Sequence, residues 1–298
     1  MIKIPVVQTI RFAYEFTFRH IGAIIGLIWI PQLLMSLGGY FMQKPYMDQI
    51  AAGAGEASGG GTEILLALGY VIVALFLVAV IGVAVTRQAL GLRQGPAVAH
   101  FSFGAAELRV VGGTVAIVML LVLFLLALSV AMLALGQGVK LLHLDATGTS
   151  LMQGVVGVLM LGGICAIIYV MVRLSFLFIP ASVAEENYGI ERSWEKTRGN
   201  FWRILAVALA CQLPVLLLIS ALEMAILGPQ YFANEFALMT DPTAAARLGA
   251  EHMRLYSNGL PLLLGLNFAM APLVYGLVLS SSVAVYRALT KPATEIIA

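Results

Sequence analysis

Six stretches of this sequence, residues 21–42, 64–85, 110–135, 151–172, 204–222 and 260–286, contain no Asp, Glu, Lys or Arg. A helix needs about 20 apolar residues to cross a hydrocarbon core of about 30 Å, and each stretch reaches that length or falls a residue short. None alternates polar and apolar residues, so a β-barrel is excluded. With 11% charged and 61% hydrophobic residues, the chain cannot cover itself with a water-facing surface, which normally takes about 25% charge. The expected fold is an all-α integral membrane protein with six transmembrane helices, residues 1–298 forming a single membrane domain. The first stretch is too long for a cleavable signal core and follows Glu15, Arg19 and several aromatic residues, so it reads as a retained span.

Of the 17 Lys and Arg residues, all but Lys44, Lys140, Arg247 and Arg254 fall on the side of the six-span scheme that holds both termini. Basic residues in short loops mark the cytoplasmic side, so both termini are expected there. The net charge of +2 comes without a basic face carrying stacking or groove-reading side chains, which argues against nucleic-acid binding. Cys165 and Cys211 sit inside apolar runs, outside any CxxC or Cys/His spacing, and read as small buried hydrophobes. No metal site and no cofactor is expected.

The most polar stretch is AEENYGIERSWEKTRGNFWRIL, residues 184–205. Ile190, Trp194, Thr197 and Phe201 recur at spacings of four, three and four, which places them on one helical face. Glu191 and Glu195 repel each other, but pairs such as Arg192 with Glu195 and Glu195 with Arg198 offset this at helical spacing. The segment reads as an amphipathic interface helix lying among lipid headgroups, with Gly199-Asn200 as a bend and Phe201-Trp202 as an aromatic anchor. Glu185-Glu186 with Arg192, and FxxxH at Phe16–His20, faintly resemble the pattern of membrane prenyl-endopeptidases. The match fails because Arg192 is displaced and FxxxH precedes the Glu pair. No HExxH, GxSxG or Walker lysine occurs, so no catalytic residue is assigned.

The same lead-in occurs before the first span, TIRFAYEFTFRHIGAI, and before the third, SFGAAELRVVGGTVAI. The even spans close alike, on VAVTRQAL, VMVRLSF and VAVYRAL, placing Arg87, Arg173 and Arg287 at equivalent exits. A threefold internal repeat of interface helix plus hairpin is expected, over residues 1–91, 92–178 and 179–298. If the repeat holds, the three arginines surround a pseudo-threefold centre and offer planar forks to anionic phospholipid headgroups. The competing reading is that each merely anchors its own helix at the interface.

No span carries a charge near its midpoint; Glu223 falls at an outer end. Pro31-Gln32, Gln212 with Pro214, and Asn267 with Pro272 each pair a helix-bending proline with an amide and read as interhelical glue. Gly154, Gly157, Gly162 and Gly163 suggest close packing of the fourth span. Outside, residues 51–62 read as a flexible turn. Asp241-Pro242 is expected to start a short external helix over 243–256, stopped by Ser257-Asn258-Gly259.

With Ser193-Trp194, Thr197-Arg198-Gly199-Asn200 and Phe201-Trp202 in view, the chain resembles the six-span membrane domain found beside glycerophosphodiester phosphodiesterases and its stand-alone relatives. The resemblance implies a bacterial inner-membrane protein. The soluble phosphodiesterase barrel has no counterpart here, so its activity is not implied. The expected function is a non-enzymatic, lipid-associated organiser, sensor or scaffold of a membrane complex. Its expected partners are membrane lipids, with a membrane-protein partner or homo-oligomer as a further option. The alternative is a transporter or permease, which requires a cavity between the repeats reached by Gln32, Gln212 and Asn267.

Overall fold

The computed structural model describes residues 3–52, 61–93, 101–141, 146–241 and 244–290. Most of the turn expected over 51–62 falls outside that set, as do Pro242 and Thr243. Among the described residues every regular element is an α-helix. In chain order these are α1 (Val6–Arg19), α2 (Ile21–Ala51), α3 (Gly61–Ala89), α4 (Ala105–Leu141) and α5 (Ala146–Ser175). They are followed by α6 (Phe178–Ala184), α7 (Ile190–Lys196), α8 (Phe201–Leu227), α9 (Pro229–Thr240) and α10 (Ala244–Thr290). Six helices, α2, α3, α4, α5, α8 and α10, are long and apolar enough to cross a membrane. The protein is an all-α, multi-pass membrane protein.

The buried residues concentrate at the end of the bundle that carries the arginines after α3, α5 and α10, called the basic face below. Three apolar clusters meet there. One joins Ala13 of α1 to Leu177 and Ala181, to Ile204, Val207 and Cys211 of α8, and to Leu277 and Val285 of α10. A second packs Phe16 of α1 and Ile24, Leu27 and Ile28 of α2 on Ile81 and Ala84 of α3 and Val283 of α10. The third gathers Val83 of α3, Val110 and Ile117 of α4, Leu174 of α5 and Phe178 of α6. In lipid, apolar surface alone does not pull helices together, so close backbone approach and polar glue decide. α1 meets α10 where a Cβ on Gly276 would lie 2.5 Å from Thr17 Cγ2. α4 meets α6 where a Cβ on Gly113 would lie 2.2 Å from Phe178 Cε2. Thr17 Oγ1 and Ser280 Oγ both donate to the Ala13 carbonyl, at 2.7 and 3.2 Å.

Several expectations need correction. The second lead-in, 102–117, is not a separate interface helix; its helical part is the first turns of α4, which starts at Ala105. The third lead-in, 184–205, is not one helix but the short α7, a turn at Gly199 and the start of α8, while α1 is a single helix of 14 residues. The three lead-ins therefore differ in build. Ser257-Asn258-Gly259 does not stop a helix, because α10 runs unbroken from Ala244 through Pro261 and Pro272 to Thr290. Gly154, Gly157 and Gly162 face open space; of the four, only Gly163 is approached closely, by Leu128 Cδ2 at 2.9 Å from an added Cβ. The helix α9 was not expected, although Gly228-Pro229, with Gly228 at φ 79° and proline at the first helical position, is a start signal.

At the far face, α2 is tied to α10. Lys44 Nζ donates to Asp48 Oδ1 at 2.7 Å and to Ser257 Oγ at 2.9 Å. His252 of α10 stacks on Tyr231 of α9 with ring centroids 4.2 Å apart. Burial and the neighbouring Glu235, Tyr256 and Glu223 push the Tyr231 hydroxyl pKa above its ordinary value.

Candidate functional site

The chain doubles back between α5 and α8 through an elbow formed by α6, a short connection and α7. Two residues in the left-handed region shape it, Glu186 at φ 55° and Gly189 at φ 66°. Gly189 is required twice over: its φ is strained for other residues, and a Cβ there would sit 2.5 Å from Ser182 Oγ and 2.6 Å from the Phe178 carbonyl. The Gly189 N–H donates to Asn187 Oδ1 at 2.8 Å, and Ser182 Oγ donates to the Tyr188 carbonyl at 3.0 Å.

Arg173, at the end of α5, clamps the elbow to its span. The residue is only 6% exposed. Its guanidinium donates to the Tyr169 hydroxyl at 3.0 Å, to Thr197 Oγ1 at 3.3 Å and to the Trp194 carbonyl, and lies 3.6 Å from the centre of the Trp194 ring. Ser193 Oγ donates to the Arg173 carbonyl at 2.7 Å and accepts the Leu177 N–H. A buried guanidinium is costly unless its donors are met, and here protein groups meet them.

The other two arginines predicted to hold headgroups have different partners. Arg87 pairs at 3.7 Å with Glu107 of α4, whose side chain is 1% exposed and whose Oε1 also accepts from Ser102 at 2.6 Å. Arg287 donates to the Ala89 carbonyl at 2.9 Å, tying α10 to α3. Each arginine closes a different helix junction at the basic face. Glu107 was missed in the sequence, although it is the first acid after Ser102 at the mouth of an apolar run.

The predicted interface residues are split between elements. Ile190 and Trp194 belong to α7, whereas Phe201 and Trp202 open α8 after the turn at Gly199, φ 78°. One continuous amphipathic face is thus not formed. Trp194 is held by Arg173, Phe201 packs against Tyr169 with ring centroids 4.9 Å apart and the planes tilted by 51°, and Trp202 is 77% exposed as an anchor. Asn200 Oδ1 accepts the Ile4 N–H at 3.4 Å and Arg203 donates to the Ile4 carbonyl at 2.8 Å, which straps the N-terminal segment to α8.

Between α7 and the connection that leads into it lies a polar cleft of ≈ 430 Å³, with Glu185, Tyr188, Glu191, Arg192 and Glu195 in its wall. Arg192 donates through Nε to Glu185 at 3.2 Å and through Nη1 to Glu195 at 3.5 Å. The hydrogen bond to Glu185 is the main cause of the raised Arg192 pKa, so the guanidinium stays charged. Tyr286 of α10 donates to Glu185 Oε1 at 2.9 Å. An apolar crevice of ≈ 190 Å³ opens nearby between α4 and α5, lined by Ile117, Leu121 and Phe124 on one side and Ile167, Val170 and Met171 on the other. The three amides expected to share a transport cavity have three environments: Gln32 is buried, Gln212 half-buried and Asn267 exposed. No group of three or more His, Cys, Asp or Glu that could hold a metal ion occurs among the described residues. Comparison with family models, curated proteins and solved structures gives no match to this chain.

Proposed function

We propose that this protein is a non-enzymatic organiser of membrane lipid in a bacterial inner membrane, its basic face toward the cytoplasm. The observation that carries this reading is the α4–α5 hairpin. The most apolar window of α5 has none of its residues buried in the protein and that of α4 has 6%. Such a surface is stable only if lipid tails or another membrane helix cover it. The hairpin is held firmly at its basic end, by Arg173 and by Glu107 with Arg87, and displays the rest of its length to the bilayer. Arg87, Arg173 and Arg287 are engaged with Glu107 or with protein carbonyls and hydroxyls, which fits a structural framework better than a reaction centre. The resemblance to the membrane domain beside glycerophosphodiester phosphodiesterases belongs to the same proposal.

Mass spectrometry of the lipids that remain on the purified protein tests the reading. A retained set that differs from the bulk membrane supports lipid organisation, and a set with bulk composition sinks it. Reporter fusions after Gln43 and Asn258 are expected to read as external, and after Asn187 as internal. An internal reading at Gln43 would overturn the orientation. Oxidative cross-linking through Cys165, exposed on α5, separates lipid cover from a second copy of the chain, which would give a disulfide-linked dimer.

A further inference from the structure

The polar cleft and the apolar crevice border the same apolar cluster. Ile190 of the cleft and Ile117, Val170 and Met171 of the crevice pack into one apolar cluster around Phe178 and Leu174. On α4, Gly113, Ile117, Leu121 and Phe124 follow at spacings of four, four and three, so one face runs from the contact with Phe178 into the crevice. On the adjoining face, a Cβ on Gly112 would lie 3.3 Å from the ring of Tyr188, which lines the cleft. Gly112 and Ile117 are five residues apart, a rise of about 8 Å at about 1.5 Å per residue. A polar niche at headgroup depth thus stands above an apolar slot in the same leaflet.

We propose that one phospholipid with a primary-amine headgroup occupies this corner, its headgroup in the cleft beside Arg192 and one acyl chain in the α4–α5 crevice. The inference rests on the lipid-organiser reading and names the lipid class and its place. Charge selects the headgroup. Glu185, Glu191 and Glu195 outnumber the single Arg192, so the cleft attracts an ammonium and repels a headgroup whose only charge is negative. Arg192 spends Nε on Glu185 and Nη1 on Glu195; among the described residues its Nη2 has no acceptor, which leaves it to donate to the phosphodiester. A primary ammonium offers three N–H donors to the carboxylates, whereas a trimethylated amine offers none. Tyr188, 63% exposed against α4, stands where the glycerol passes from cleft to crevice.

The full-length protein in neutral detergent, titrated separately with phosphatidylethanolamine, phosphatidylcholine and phosphatidylglycerol, is read by native mass spectrometry. It is expected to hold phosphatidylethanolamine about tenfold more tightly than the other two. The double change Glu191→Gln with Glu195→Gln is expected to remove most of that preference. Leu121→Trp, which fills the crevice, is expected to weaken all three lipids alike, and Val158→Trp, on the outer part of α5, to weaken none. Melting temperatures check that each variant folds, and Phe124→Ala replaces Leu121→Trp if the latter does not. A natural protein indifferent to headgroup overturns the proposal, as does a preference that survives the double Gln change. Selective retention from the native membrane that is unmoved by every variant removes this site but leaves the lipid-organiser reading standing. Retention of bulk composition removes both.

Discussion

In α10, 39% of the most apolar window is buried against other helices; in α5 none of it is, although α5 is the more hydrophobic of the two, with mean hydropathy 2.7 against 2.0. A water-soluble protein would show the reverse, with its greasiest helix in the middle. In a bilayer the tails are as apolar as leucine, so burying Leu159, Leu161 or Ile164 of α5 against protein gains little over leaving them in lipid. Beside Leu277, Val283 and Val285, α10 brings small and hydroxylated residues to its interfaces: Gly276 under Thr17, and Ser280, Ser281 and Ser282, all buried. Small residues let backbones approach, and hydroxyls such as Ser280, donating to the Ala13 carbonyl, find their acceptors across the interface.

The contrast can be broken most strongly at Arg173. Arg173→Ala removes the donors to Trp194, Thr197 and Tyr169 and the packing on the Trp194 ring, and leaves the Thr197 hydroxyl buried without its guanidinium, a loss of about 3 kcal/mol in thermal or denaturant unfolding in detergent. The same change is expected to release the elbow to limited proteolysis between Glu185 and Asn200. Gly276→Leu forces α1 away from α10 and is expected to cost about 2 kcal/mol. Loss of less than half that amount would mean the approach at Thr17 is loose. Ser280→Ala is expected to cost only about 0.6 kcal/mol, the usual scale of an interhelical hydrogen bond in a membrane. At the other pole, Leu161→Ala on α5 is expected to stay within about 0.5 kcal/mol of the natural protein. A large loss there, approaching that of Arg173→Ala, would show that the α5 surface is packed against a partner and not against lipid.

The spans were legible because membrane crossing imposes a length and forbids charge, two properties written directly in residue order. The ends of helices were not. Ser257-Asn258-Gly259 carries the composition of a stop, yet Ser257 is bonded to Lys44 and Asp48 of α2, and Gly259 sits where a Cβ would meet Leu227 Cδ2 at 2.6 Å. Tertiary contact overrode local propensity, and the glycine serves close packing instead of termination. The α6–α7 elbow was visible as a charged island, and its Arg192–Glu195 pair was anticipated. The stronger partner, Glu185, lies seven residues away across a left-handed turn, a relation that helical spacing cannot reveal. The arginines after α3, α5 and α10 were found by their position at span ends. The burial of Arg173 and the separate partners of all three depend on how helices far apart in sequence meet, which no single segment encodes.

α10 contains 47 residues, about 70 Å of continuous helix at about 1.5 Å per residue, more than twice the hydrocarbon thickness of about 30 Å. Toward the far face it carries Ser257 against Lys44 and His252 against Tyr231, and at the basic face Tyr286 against Glu185 and Arg287 against α3. A single continuous helix therefore joins the two aqueous sides, with Pro261 and Pro272 inside it. A load that tilts its far-face arm arrives at the basic face as a displacement of the side chains that brace the elbow, with no relay through intervening loops.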